Sequence, residues 1–98
     1  MIVRIVKLTF KKETIASFEQ IFEETKDRIR STEGCSRLEL HQDVTNPTVF
    51  FTYSHWESEQ HLEAYRASDF FKNVWGKTKL LFDQKPEAWS VQKIHTLN

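Results

Sequence analysis

Cysteine is almost missing from this 98-residue chain: Cys35 stands alone, so no internal disulfide can form and no cysteine-based zinc site can be assembled. That scarcity favours a reducing compartment, and a cytoplasmic location is expected. Glycine and proline occur twice each, which excludes collagen-like and low-complexity chains. Net charge is missing as well. Fourteen Lys and Arg balance 14 Asp and Glu, so no global field gathers phosphate backbones or anionic lipid, and neither nucleic acid nor membrane is expected as a partner. No stretch approaches the ~18 apolar residues of a membrane span. The opening run Ile2-Val3-Arg4-Ile5-Val6 is too short and too charged for a secretory h-region.

What the chain has is aromatic residues. Eight Phe, three Trp and two Tyr make up 13% of it, more burial than disordered chains contain. With 39% hydrophobic and 29% charged residues, a single globular domain over residues 1–98 is expected. Surface scaling lets such a chain bury about 65% of its extended area, enough for a core without disulfides.

Periodicity orders the elements. Residues 2–10 are rich in β-branched types, with Ile2, Val6, Leu8 and Phe10 on one face and Val3 and Ile5 on the other, as in an interior strand. From about Glu13 to Ser31 the period becomes helical, through Ile15, Phe18, Phe22, Thr25 and Ile29. Gly34 can take the positive φ that follows a helix. Cys35–Asp43 then alternates Leu38 and Leu40 against Arg37, Glu39 and His41, an edge-strand pattern. Thr45-Asn46-Pro47-Thr48 is turn chemistry leading into Thr48–Trp56, whose Val49, Phe51 and Tyr53 oppose Phe50 and Trp56, again apolar on both faces. Ser58 and Ser68 read as caps of two short helices or one broken helix. Lys85-Pro86 reads as the connection into a last strand from about Glu87 to Leu97.

The order β-α-β-β-α-β with an antiparallel four-stranded sheet is the ferredoxin-like α+β arrangement, in which the first and third strands are central. Two helices can cover only one face of that sheet, yet both central strands are apolar on two faces. The simplest cover for the second face is another copy of the same sheet, so a homodimer packed sheet to sheet is expected, closing into a dimeric α+β barrel.

The stretch from Phe51 to Phe71, with a strand ending in Trp56, a Ser58-Glu59 cap and an Ala64-Tyr65-Arg66-Ala67-Ser68 helix break, resembles the central segment of the antibiotic biosynthesis monooxygenase family. The opening Met-Ile-Val-Arg-Ile-Val strand and the Glu33-Gly34-Cys35 link are similar to that family too. The resemblance implies the dimeric α+β barrel and a cavity between helices and sheet. It does not fix the reaction, since members include cofactor-free oxygenases of polycyclic phenols, haem-degrading oxygenases, quinol oxygenases and isomerases. In the haem-degrading branch the working Asn, Trp and iron-ligating His correspond by unaligned register to Val6, Trp56 and Trp75. Only Trp56 matches, and the Trp75 indole has no lone pair to give iron. Another branch carries a histidine at the position of Tyr65, and often a second near Phe70. A phenol with an ordinary pKa near 10 is a poor base but a usable donor.

The reading that follows is a cofactor-independent oxygenase acting on an aromatic or quinol-type molecule, with no metal or flavin expected. Trp56 and Tyr65 are the candidate catalytic residues, holding the substrate oxygen; Val6, Phe70, Phe71 and Trp75 are the candidate substrate-binding walls. Each has a plainer use: Trp56 as core with its N–H satisfied, Tyr65 at the helix surface, and the Phe70–Trp75 cluster as packing. The alternative function is a non-catalytic binding or scaffold dimer, in which Phe70, Phe71 and Trp75 would fill the space. His41, His55, His61 and His95 show no metal-ligand spacing, and His55 should point away from Trp56 along the strand. Glu39 and Asp43 lack the enclosure that acid–base work needs, and Cys35 reads as a buried, inert thiol.

Overall fold

Alternation of side chains along two apolar strands sets the middle of the sheet. In the computed structural model, which describes residues 1–98, β1 (Ile2–Phe10) pairs antiparallel with both β3 (Val49–Trp56) and β4 (Phe82–Val91), and β2 (Cys35–Gln42) pairs with the far edge of β3. The strand order β2-β3-β1-β4 is the ferredoxin-like α+β topology, with the two strands that are apolar on both faces at its centre. α1 (Ile15–Arg30) follows a 3-10 turn over Lys12–Thr14, and its buried Phe18 and Ile29 lie on the expected stripe. α2 (Glu59–Ala67) and α3 (Asp69–Thr78) are separate helices broken at Ser68, which ends the first and caps the second by accepting the Phe71 N–H at 3.1 Å. No helix is long and apolar enough to cross a membrane.

One link between helix and sheet depends on glycine. Gly34 has φ +87°, and a Cβ there would also stand 2.5 Å from the His61 ring carbon. The last strand departs from the expected Glu87–Leu97: it begins at Phe82 and ends at Val91, with Pro86 inside it rather than before it. β4 is an edge strand whose register against β1 shifts between Lys7 and Thr9, so the missing Pro86 N–H costs no ladder hydrogen bond.

All three helices pack on one face of the sheet. There Leu8 and Phe10 of β1, Phe50 of β3 and Phe18 of α1 form one buried cluster, and Cys35, Trp56 and Leu62 form another. The opposite face carries three cross-strand rows: Arg37, His55, Val3 and Val91; then Glu39, Tyr53, Ile5 and Trp89; then His41, Phe51, Lys7 and Glu87. Trp89 and Val91 are exposed there.

Candidate functional site

Between the two buried clusters the helix-covered face changes character. Its outer rows carry Phe50 and Leu8 at one end and Trp56 and Ile2 at the other, but the two rows between them carry Leu40, Thr52, Val6 and Ala88, then Leu38, Ser54, Arg4 and Ser90. The short side chains among them, Thr52, Val6, Ala88 and Ser54, cannot reach helices about 10 Å away, the usual spacing of packed layers. A cavity of about 250 Å³ results, walled above by Phe22 and Thr25 of α1 and by Tyr65, Phe71, Val74 and Trp75 of α2 and α3. Of the residues that line it, only Arg66 and Ala88 are exposed, so the cavity opens between α2 and β4.

Five of the six candidate residues converge on this space. Val6, Trp56, Tyr65, Phe71 and Trp75 all line it. Phe71 and Trp75 stack at 5.8 Å against its wall without filling it, and Trp75 meets Phe82 edge to face at 5.5 Å. Phe70 is not part of the cavity: its ring lies under the Arg28 guanidinium at 4.2 Å, on the other side of the helix. Helical geometry explains this, because Phe71, Val74, Trp75 and Thr78 recur at the spacing of one face and Phe70 falls about 100° off it.

Trp56 is 1% exposed, and its indole N–H donates to Ser54 Oγ at 2.9 Å. The N–H is thus committed to a side-chain hydroxyl, and it fixes Ser54 as an acceptor on that side, leaving the serine's own proton to be donated elsewhere. The Trp56 ring stacks on Tyr65 at 5.0 Å, and Tyr65 meets Phe71 edge to face at 5.0 Å. Burial pushes the Tyr65 phenol up to about 12, with the nearby Cys35 thiol adding to the effect, so the group stays protonated and acts as a donor, not a base. The Thr25 and Thr78 hydroxyls are committed to carbonyls of their own helices, at 2.8 Å each. Thr52, in contrast, faces the cavity from β3 beside Ser54.

Two residues that sequence reasoning passed over complete the site. Arg4 sits directly opposite Ser54 in the sheet and reaches across to donate to Ser90 Oγ at 2.9 Å. Arg66 stands at the mouth, paired with Glu63 at 3.1 Å. Burial and the neighbouring Arg66 charge both lower the Arg4 pKa, while Glu63 opposes the shift. The lining contains no Asp, Glu, His, Cys or Lys, so it offers no carboxylate or imidazole base and no histidine or thiolate ligand, and its only formal charges are the two arginines. The small pair Thr52 and Ser54, set between Phe50 and Trp56 on one strand face, was the signal for the hollow.

The histidines lie elsewhere. His55 points to the face opposite the helices, away from Trp56 as strand alternation requires, where it is buried and contacts the Tyr53 hydroxyl at 3.1 Å. His41 is bonded to Glu39 at 2.7 Å on the same face, and His61 meets the Ser58 hydroxyl at 2.7 Å beside Gly34. No cluster of His, Cys, Asp and Glu is arranged to hold a metal ion. Cys35 is buried, and burial raises its thiol pKa, which leaves it unreactive.

Comparison with known proteins agrees with the fold. The model of the antibiotic biosynthesis monooxygenase family matches residues 1–75. A conserved protein from Methanosarcina mazei Go1 superimposes with a TM-score of 0.88 at 23% identity, covering 95% of this chain and 93% of that one. The structure of an antibiotic biosynthesis monooxygenase gives 0.90 at 18% identity, with 97% and 100% covered. PA3566 from Pseudomonas aeruginosa gives 0.84 at 18% identity, with 96% and 94% covered. At these identities the structural likeness is one of fold. None of the curated proteins matches the chain.

Proposed function

Because the chain belongs to the antibiotic biosynthesis monooxygenase family, we propose that it is a cofactor-independent monooxygenase of an aromatic or quinol-type molecule held between helices and sheet. The observation that carries this reading is the open apolar cavity with a donor cluster at one end, Ser54 backed by Trp56 and joined by Tyr65. In this role Ser54 and Tyr65 donate to the substrate oxygen and favour its anionic form, and the Trp56 N–H holds Ser54 in place. Val6, Phe71 and Trp75 keep water from the reacting carbon.

The chemistry balances without a protein redox group. An anthrone-type substrate loses a proton to water, since the lining offers no carboxylate or imidazole base, and its carbanion attacks O₂. One carbon–oxygen bond forms and the oxygen–oxygen bond then breaks. A CH₂ becomes C=O, and the second oxygen leaves as water with both hydrogens. The substrate supplies all the electrons.

The uncovered face supports the homodimer as part of the same reading. Ile5, Phe51, Tyr53, Trp89 and Val91, which the chain itself leaves half-buried or exposed, give it an apolar centre that a second sheet would bury. Ile5→Glu should then yield monomers in sedimentation, whereas unchanged assembly would exclude this face as the interface.

Oxygen uptake by metal-free protein offered anthrones, hydroquinones and catechols tests the activity. Saturable uptake that falls more than ~3-fold in Tyr65→Phe or Ser54→Ala is expected. The absence of a carboxylate or imidazole base in the lining favours a second reading, a non-catalytic binder of the same molecules. Binding without uptake would select it.

A further inference from the structure

Arg4 is a charged side chain in the middle of a sheet face that packs against helices, and such a placement needs a reason. Six ion pairs form within the chain and none includes Arg4. Its guanidinium has five N–H donors, of which Ser90 Oγ takes one. Arg66 approaches from α2 with the same sign of charge, and its partner Glu63, on the exposed flank of that helix, offsets only part of the charge that the two arginines bring. The cavity therefore has an apolar body, neutral donors at Ser54 and Tyr65, and positive charge on the side of β4 where it opens.

From this arrangement we infer that Arg4, assisted by Arg66 at the mouth, binds a carboxylate carried by the aromatic molecule that occupies the cavity. The inference rests on the reading of this cavity as the ligand site and adds the ligand's charged group. A planar guanidinium with unused donors matches a carboxylate by two parallel hydrogen bonds, and a partly buried site strengthens them. Size agrees. The cavity exceeds the roughly 150 Å³ that benzene fills in an engineered apolar hole, so one or two fused rings fit with their charged group at the mouth. Because Arg4 and Ser54 are directly opposed in the sheet, a carboxylate on Arg4 places the ring next to the Ser54 hydroxyl.

The test is calorimetric titration of the whole protein with 6-hydroxy-2-naphthoate and with its methyl ester, which share ring and hydroxyl and differ in charge. The wild type is expected to bind the acid about 10-fold or more tightly than the ester. Arg4→Leu should bring that ratio to about 3 or below, chiefly by weakening binding of the acid, and Arg4→Lys should fall between. Equal affinity for acid and ester in the wild type would overturn the inference, as would a preference that survives in Arg4→Leu. If Arg4→Leu does not fold, Arg66→Leu decides: a smaller ratio supports the inference, and an unchanged ratio removes it. The outcome is separable from that of the oxygenase reading. Oxygen uptake with the ester and no preference for the acid would sink the inference alone, whereas preference for the acid without uptake on any substrate would sink the oxygenase alone.

Discussion

The two ends of the layer between helices and sheet use the same backbone geometry to opposite effect. At the Phe10 end, Phe10 packs on Phe18 at 4.3 Å, on Phe82 at 5.4 Å and on Phe50 at 5.8 Å, and rings span the layer from sheet to helix. A few residues along the same strands, Val6, Thr52, Ser54 and Ala88 stand where rings would be needed, and the layer is hollow. The difference lies in side-chain length, not in fold. A sheet and three helices hold the gap open because both its flanks are packed, with Trp56 closing the far side. A fold of this kind can thus change its ligand by altering a few inward positions on two strands.

The largest effect should come from disturbing the filled end. Phe10→Ala removes a ring that is 1% exposed and should cost about 3–5 kcal/mol in urea denaturation. A loss below about 1 kcal/mol would mean that this end is no better packed than the hollow. Next comes the alkaline behaviour of Tyr65. Its folded pKa of about 12 exceeds the ordinary value of 10.0, so its contribution is complete below pH 10 and disappears as pH rises through 12. About 2–3 kcal/mol should be lost across that window and retained in Tyr65→Phe, as stability measured at about pH 9 and 12 would reveal. Ser54→Ala should cost about 1–3 kcal/mol, because it leaves the buried Trp56 N–H without its acceptor. The smallest change should follow Thr52→Ala, which shortens a side chain already facing empty space. A loss of more than about 1 kcal/mol there would show that Thr52 is packed after all.

Much of the architecture was legible because it rests on local rules. The α1 stripe, the two serine caps, the positive φ of Gly34 and the central places of β1 and β3 all follow from spacing and residue type. The last strand was less so, since Pro86 signals a break in sequence but is tolerated on an edge strand with a shifted register. At the site, the aromatic walls were legible and the polar ones were not. Phe70 and Phe71 are adjacent and chemically identical, and only the helix phase, which one residue of displacement turns by about 100°, sends Phe71 inward and Phe70 to Arg28. Arg4 reads in sequence as a charge interrupting an apolar strand. Its significance depends on Ser54, Ser90 and Arg66, which lie far from it along the chain and meet it only in the folded sheet.

The most direct test of the hollow as the working site is oxygen uptake with an anthrone by Thr52→Leu, which adds bulk to the cavity at a residue with no side-chain hydrogen bond to lose. If the hollow holds the substrate, kcat/KM should fall about 10-fold or more while the melting temperature stays within a few degrees of the wild type. Undiminished turnover with the cavity filled would contradict that placement and move the site elsewhere on the molecule.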